Sequence, residues 1–124
     1  MPLRVASDHG VAQKDIDPRG LPVYGADGEV AGIVTDLWVD RMEMMFRYLE
    51  VELSGTGHHV LLPVTFARIK RDGIRVHAIL AHQFANVPTT RSPEQITLLE
   101  EEKVTAYFGA GTLYATPERQ EPIL

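Results

Sequence analysis

The sequence predicts a β-rich α+β fold: a small barrel or curled sheet of short antiparallel strands, with a C-terminal helix packed against it or laid across its mouth. Three observations predict it. Short apolar runs recur at close spacing between Leu21 and Ile79, each bounded by Gly, Pro or Asp turn chemistry. One of them, Arg47 to Leu53, alternates cleanly, with Leu49, Val51 and Leu53 on one side and Tyr48, Glu50 and Glu52 on the other. At Thr97-Leu98-Leu99-Glu100 a capping box announces a helix instead.

In chain order, residues 1–20 read as an arm that ends in the turn Asp15-Ile16-Asp17-Pro18-Arg19-Gly20, and residues 21–79 as the strands. Leu21 to Tyr24 is a short run whose Pro22 marks an edge or a strand start. Gly25-Ala26-Asp27-Gly28 is a turn. Val30 to Val39 follows, with Ala31, Ile33, Leu37 and Val39 expected on one side. Asp40 to Met45 connects to the Arg47–Leu53 strand, and Ser54 to Gly57 turns the chain into His59–Pro63. Ala67–Lys70 and Ile74–Ile79 form a hairpin across Arg71-Asp72-Gly73. Residues 80–124 form the C-terminal segment, with one short helical turn at Ala81–Ala85. The helix is predicted over about 98–108, with an apolar stripe of Leu98, Leu99, Val104, Tyr107 and Phe108, and is expected to stop at Gly109-Ala110-Gly111 before an extended tail from Leu113.

Composition narrows the function classes. The 124 residues fit one domain, with 44% hydrophobic and 23% charged residues. A net charge of −5 argues against nucleic acid as a partner, since phosphate binding needs clustered Lys and Arg. The basic residues are scattered; the densest run, Arg68, Lys70 and Arg71, reads as a solvated hairpin turn. With no cysteine, disulfides, thiolate metal sites and a Cys nucleophile are excluded. No apolar run approaches the roughly 18 residues of a membrane span, and Met1-Pro2-Leu3-Arg4 lacks a signal-peptide core. His58 and His59 are adjacent and point to opposite faces of a strand, His77 and His82 have no ligand spacing, and no metal site is expected. No nucleophile elbow or phosphate loop occurs, so an enzyme is not expected. Tyr107, Phe108 and Tyr114 read as packing residues, not as platforms for bases.

Function enters through a resemblance. The run Asp27 to Arg41 (DGEVAGIVTDLWVDR) resembles the H subunit of the purple-bacterial photosynthetic reaction centre. So do Asp17-Pro18-Arg19-Gly20, Arg47-Tyr48-Leu49-Glu50, Val60-Leu61-Leu62-Pro63, Phe84-Ala85-Asn86-Val87-Pro88, Ile96 to Tyr107 and Leu113 to Arg119. The wider PRC-barrel superfamily would share only the Gly-x-Val-x-Asp-type strand and a few apolar positions. The resemblance implies a PRC-type barrel acting as a non-catalytic, cytoplasmic cap on the two membrane-embedded core subunits. Those partners hold the bacteriochlorophyll and quinone; this chain is expected to bind no cofactor. The implied role is to stabilise the complex and help deliver protons to the secondary quinone, at the cytoplasmic face of the inner or intracytoplasmic membrane. The family's N-terminal membrane helix and the segment after it have no counterpart here. The chain is therefore expected to be an excised or separately encoded domain, soluble by itself. The family's proton-entry histidines lie in that missing part and do not transfer to His9 or His58.

The resemblance also selects a site. Asp40 and Glu43 match positions on the quinone-side proton network, with Glu43 the stronger candidate, and Arg47 and Arg41 are placed to tune them by charge. A carboxylate in a partly desolvated interface suits proton transfer, because burial raises its pKa towards neutrality. Composition alone reads both acids as ordinary turn carboxylates in water. Met42, Met44, Met45 and Phe46 beside them form an apolar cluster that is either an interface patch or the closure of the barrel end. Two further readings stand beside this one: a free-standing PRC-barrel adaptor for a soluble protein partner, and a hydrolase using Asp40 and Glu43, for which the signal is poor.

Overall fold

The structure is a computed structural model that describes Pro2, residues 17–40 and residues 45–114, the last three by backbone alone. Six strands form one mixed sheet: β1 (Pro22–Tyr24), β2 (Val30–Asp40), β3 (Met45–Leu53), β4 (His59–Pro63), β5 (Ala67–Lys70) and β6 (Gly73–Val76), in the order β4-β3-β2-β1-β6-β5. Short 3-10 turns at Val64–Phe66 and Ala81–Asn86 follow β4 and β6, and α1 (Leu98–Tyr114) closes the described chain. All neighbours are antiparallel except β1 and β6, which run parallel with Val23 opposite Ile74. β1 is thus an interior strand, and Pro22 stands at its first position, where a missing N–H costs the ladder least.

The β2–β3 pair sets the geometry. Val34 lies opposite Val51, yet Asp36 lies opposite Glu50, so Thr35 is an extra residue in β2. A one-residue slip exchanges the faces of everything beyond it. Leu37 and Val39 therefore share the core face with Val34, Leu49, Val51 and Leu53, whereas Ile33, paired with Glu52, is 47% exposed. This corrects the single-sided pattern expected for Ala31, Ile33, Leu37 and Val39. A second irregularity, at Arg47 in β3, keeps Phe46 turned towards the core and Met45 outward.

The helix differs from expectation at both ends. Thr97 does cap it: its Oγ1 accepts the Glu100 N–H at 3.1 Å, and Glu100 Oε1 accepts the Thr97 N–H at 2.8 Å. The buried stripe is Val104 and Phe108, with Tyr107 partly buried beside them. Leu98 and Leu99 are 72% and 59% exposed, because at about 100° per residue they lie some 120° and 140° round the helix from Val104. Gly109-Ala110-Gly111 does not end the helix, which runs on through Leu113 to Tyr114. Neither glycine takes a positive φ. Gly111 instead lets the helix backbone touch the chain after β6: a Cβ there would come 2.3 Å from Ile79 Cγ2 and 2.7 Å from the Ala78 carbonyl oxygen. The expected tail beyond Tyr114, and the arm apart from Pro2 and residues 17–20, lie outside the described residues.

One core joins sheet and helix. Phe108 stacks on Phe66 (centroids 5.6 Å apart) and meets Phe84 edge-on at 5.9 Å, while Tyr107 donates its hydroxyl to the Gln83 carbonyl at 2.6 Å. The turn after β1 is tied to the same region, since Ala26 N–H donates to the Ile79 carbonyl at 2.8 Å and Asp27 Oδ1 accepts from Ala81 N–H at 3.3 Å.

Candidate functional site

The residues selected by sequence fall at the far end of the β2–β3 pair. Asp40 and Met45 are cross-strand partners that close the described ladder, and residues 41–44 link them. Arg41, Met42, Glu43 and Met44 lie outside the described residues. Arg47, bulged out of β3, reaches back to Asp40 with Nη1 3.6 Å from Oδ2, both side chains being partly exposed. A pair with that exposure is weak, worth under about 1 kcal/mol. Met45 is exposed at this tip, whereas Phe46 packs against the core. The expected apolar cluster is therefore divided: Phe46 closes the end of the fold, and Met45 faces outward.

A second polar centre was not selected by sequence. It is a cleft of about 640 Å³ on the outer face of β2, β3 and β4, walled by Asp36, Trp38, Glu50, His59 and Leu61 and roofed by Thr89, Thr90, Arg91 and Pro93. Asp36 and Glu50 are direct cross-strand partners, only 5% and 8% exposed. Two carboxylates opposite one another repel, and burial removes the water that would screen them, so each must be held by donors. Leu37 N–H donates to Asp36 Oδ1 at 2.8 Å. Trp38 Nε1–H donates to Glu50 Oε1 at 2.9 Å, and His59 Nδ1 lies 2.7 Å from Glu50 Oε2. The other ring nitrogen of His59 is 3.5 Å from Glu52 Oε1, so the imidazole sits between two carboxylates.

The roof explains why alternation hid this centre. Glu50 points to the outer face, as its spacing predicts, but the C-terminal segment covers that face, and Tyr48 is itself buried in the core cluster. Arg91 N–H donates to Glu100 Oε2 at 2.7 Å, which fastens the roof to the first turn of α1. The amides of Thr97 and Arg91 hold the Glu100 carboxyl below the usual range. Burial, helped by the charge and hydrogen bond of Glu101, pushes the Tyr48 phenol up to about 12. The one sequence signal for the centre was the in-phase trio Trp38, Glu50 and His59, which becomes visible only once the register is known.

Among the described residues, no three or more His, Asp or Glu side chains converge in a way that would hold a metal ion, and no helix is long and apolar enough to cross a membrane. Residues 14–83, more than half of the chain, match the family model of the PRC-barrel domain.

Proposed function

The chain belongs to the PRC-barrel domain family, and we propose that within that family it is the cytoplasmic capping domain of a photosynthetic reaction-centre H subunit. In this reading it is not an enzyme. It stabilises the two membrane-embedded core subunits, which carry the bacteriochlorophyll and quinone, and helps pass protons to the secondary quinone. Its place is the cytoplasmic face of the photosynthetic membrane.

The observation that carries the reading is the extent of the resemblance. It continues past the family match at residue 83 through Phe84–Pro88 and Ile96–Tyr107. Those segments are not appendages, because Phe84, Val104 and Phe108 are fully buried in the same core as the sheet. A resemblance that spans barrel, 3-10 turn and helix is what a whole capping domain would give. Asp40, partnered by Arg47 at an exposed strand tip beside Met45, suits a carboxylate that becomes desolvated only against a partner.

The test is binding to reaction-centre cores stripped of their H subunit, with intact H subunit as the control. Specific binding of the chain supports the reading. No binding where the control binds removes the capping role from this domain, and capture of a soluble protein partner instead would favour an adaptor. In the assembled complex, Glu43→Gln and Asp40→Asn are expected to slow proton-coupled reduction of the secondary quinone. An unchanged rate would take that residue out of the proton route.

A further inference from the structure

The β5–β6 hairpin gathers positive charge that an acidic protein would be expected to disperse. Arg68, Lys70, Arg71 and Arg75 lie within it, a third of the 12 Lys and Arg in the chain, against one acid, Asp72. The sequence run reads as a solvated turn, and Lys70 and Arg71 fit that reading. The fold adds something the run did not show. Arg68 and Arg75 are direct cross-strand partners, so their side chains leave the same face of the hairpin. The opposite face carries Ile69, Ile74 and Val76, the last two buried in the core, which fixes the register and prevents the arginines from turning away.

Like charges placed directly opposite destabilise a strand pair. Here both arginines line a cleft of about 340 Å³, together with Thr65, Phe66, Ala67, His77 and Ala78. Arg75 is held in place, its guanidinium 4.1 Å from the centroid of the Tyr24 ring and its Nη2 3.2 Å from Asp72 Oδ2. Arg68 has no ion-pair partner among the described residues. One arginine is thus positioned by its neighbours. An imidazole and a hydroxyl, from His77 and Thr65, complete a set in which every polar side chain can donate.

We propose that this cleft binds a phosphate-class oxyanion, clamped between Arg68 and Arg75 with His77 and Thr65 as further donors. Planar guanidinium forks match the oxygens of a phosphate in pairs, and a lysine at either position would not. Phe66, Ala67 and Ala78 make the remaining wall apolar, so a phosphate ester fits as well as the free ion. The proposal does not depend on the reaction-centre reading.

The test is a titration of the full chain with inorganic phosphate at constant ionic strength, chloride making up the balance, followed by NMR of the arginine Nε–H and His77 ring signals. Saturable binding in the millimolar range or tighter is expected, with shifts confined to Arg68, Arg75, His77 and Thr65. Arg68→Gln, at an exposed position that leaves the core intact, is expected to weaken it at least tenfold, and Arg68→Lys to restore part of the loss. A linear response equal to that of chloride, or saturation unchanged in Arg68→Gln, would overturn the proposal. Flotation with phosphatidylglycerol vesicles against phosphatidylcholine vesicles separates the sources of the anion. Arg68-dependent capture by the anionic vesicles assigns the site to a lipid headgroup. Saturation by phosphate without vesicle capture assigns it to a soluble phosphate. Vesicle capture without phosphate saturation would mean diffuse charge attraction and would count against a site.

Discussion

Two glycines in α1, two residues apart, should respond to alanine with opposite signs. In a helix interior Gly is less favourable than Ala by about 1 kcal/mol, so a harmless methyl group stabilises by that amount. At Gly109 the methyl group meets no atom within 4 Å, and the backbone is right-handed already. Gly109→Ala should therefore raise stability by about 1 kcal/mol, or Tm by about 4 °C for a chain of this size. At Gly111 the same methyl group would come 2.7 Å from the Ala78 carbonyl oxygen and 2.3 Å from Ile79 Cγ2. The oxygen belongs to backbone and cannot rotate away, so helix and chain must separate at an overpacking cost of about 2 kcal/mol, which exceeds the propensity gain. Gly111→Ala should end about 1 kcal/mol below the parent, and the two variants about 2 kcal/mol apart. Urea unfolding followed by far-UV circular dichroism measures both. A destabilised Gly109→Ala would mean that the helix stops at this glycine after all, as the sequence pattern suggested, and the helical path to Tyr114 would be refuted.

Glu50→Ala should cost about 1–3 kcal/mol, because it strands the buried Trp38 Nε1–H without an acceptor; a loss below about 0.5 kcal/mol in the same unfolding assay would show that this hydrogen bond is not needed. Tyr48, with a folded pKa pushed up to about 12 against an ordinary value of 10.0, should be the last tyrosine to ionise. The folded state keeps this proton longer than the unfolded one, so the stability it contributes is complete below pH 10 and is lost as pH rises towards 12. Simultaneous ionisation of all four tyrosines by phenolate absorbance would contradict this, and Tyr48→Phe should remove the late step. For Glu100 the sign is reversed: its depressed folded pKa gives stability above the ordinary Glu range that disappears as pH falls through the folded value. Hydrogen exchange at the amides of Arg91 and Thr97 should accelerate together over that fall, and unchanged exchange would detach the roof of the cleft from Glu100. Thr97→Ala, which removes the cap itself, should cost about 1 kcal/mol by urea unfolding.

Much of this fold was legible because its signals are local. Alternation at Leu49, Val51 and Leu53 depends on neighbours two residues apart, and the Thr97–Glu100 cap on residues three apart. Features that depend on a distant partner were not legible. The extra residue at Thr35 leaves no composition mark, yet it moves Ile33 to the solvent side and turns Asp36 towards Glu50. Glu50 is covered by Thr89–Pro93, some forty residues away in the chain, and Tyr48 meets Glu101 of the helix, further still. The glycines at 109 and 111 carry the composition of a helix stop, and only contact with Ala78 and Ile79 distinguishes a stop from a close crossing. Of the residues selected through the resemblance, Asp40 and its expected tuning partner Arg47 are found together at one strand tip, and Glu43 and Arg41 lie outside the described residues.

The position of β1 has a consequence for how the chain reaches this state. β2, β3 and β4 are separated by only a few residues each and pair in sequence order, so this meander can form as soon as residue 63 exists. β1 gains its second neighbour only with β6, some fifty residues later, and the ring cluster of Phe66 and Phe84 gains Phe108 only near the end of the chain. During synthesis the first half therefore waits with an unpaired strand edge and uncovered aromatic rings, a state open to pairing with other chains. β6 closes the strand edge and α1 covers the rings, so segments made later protect those made earlier.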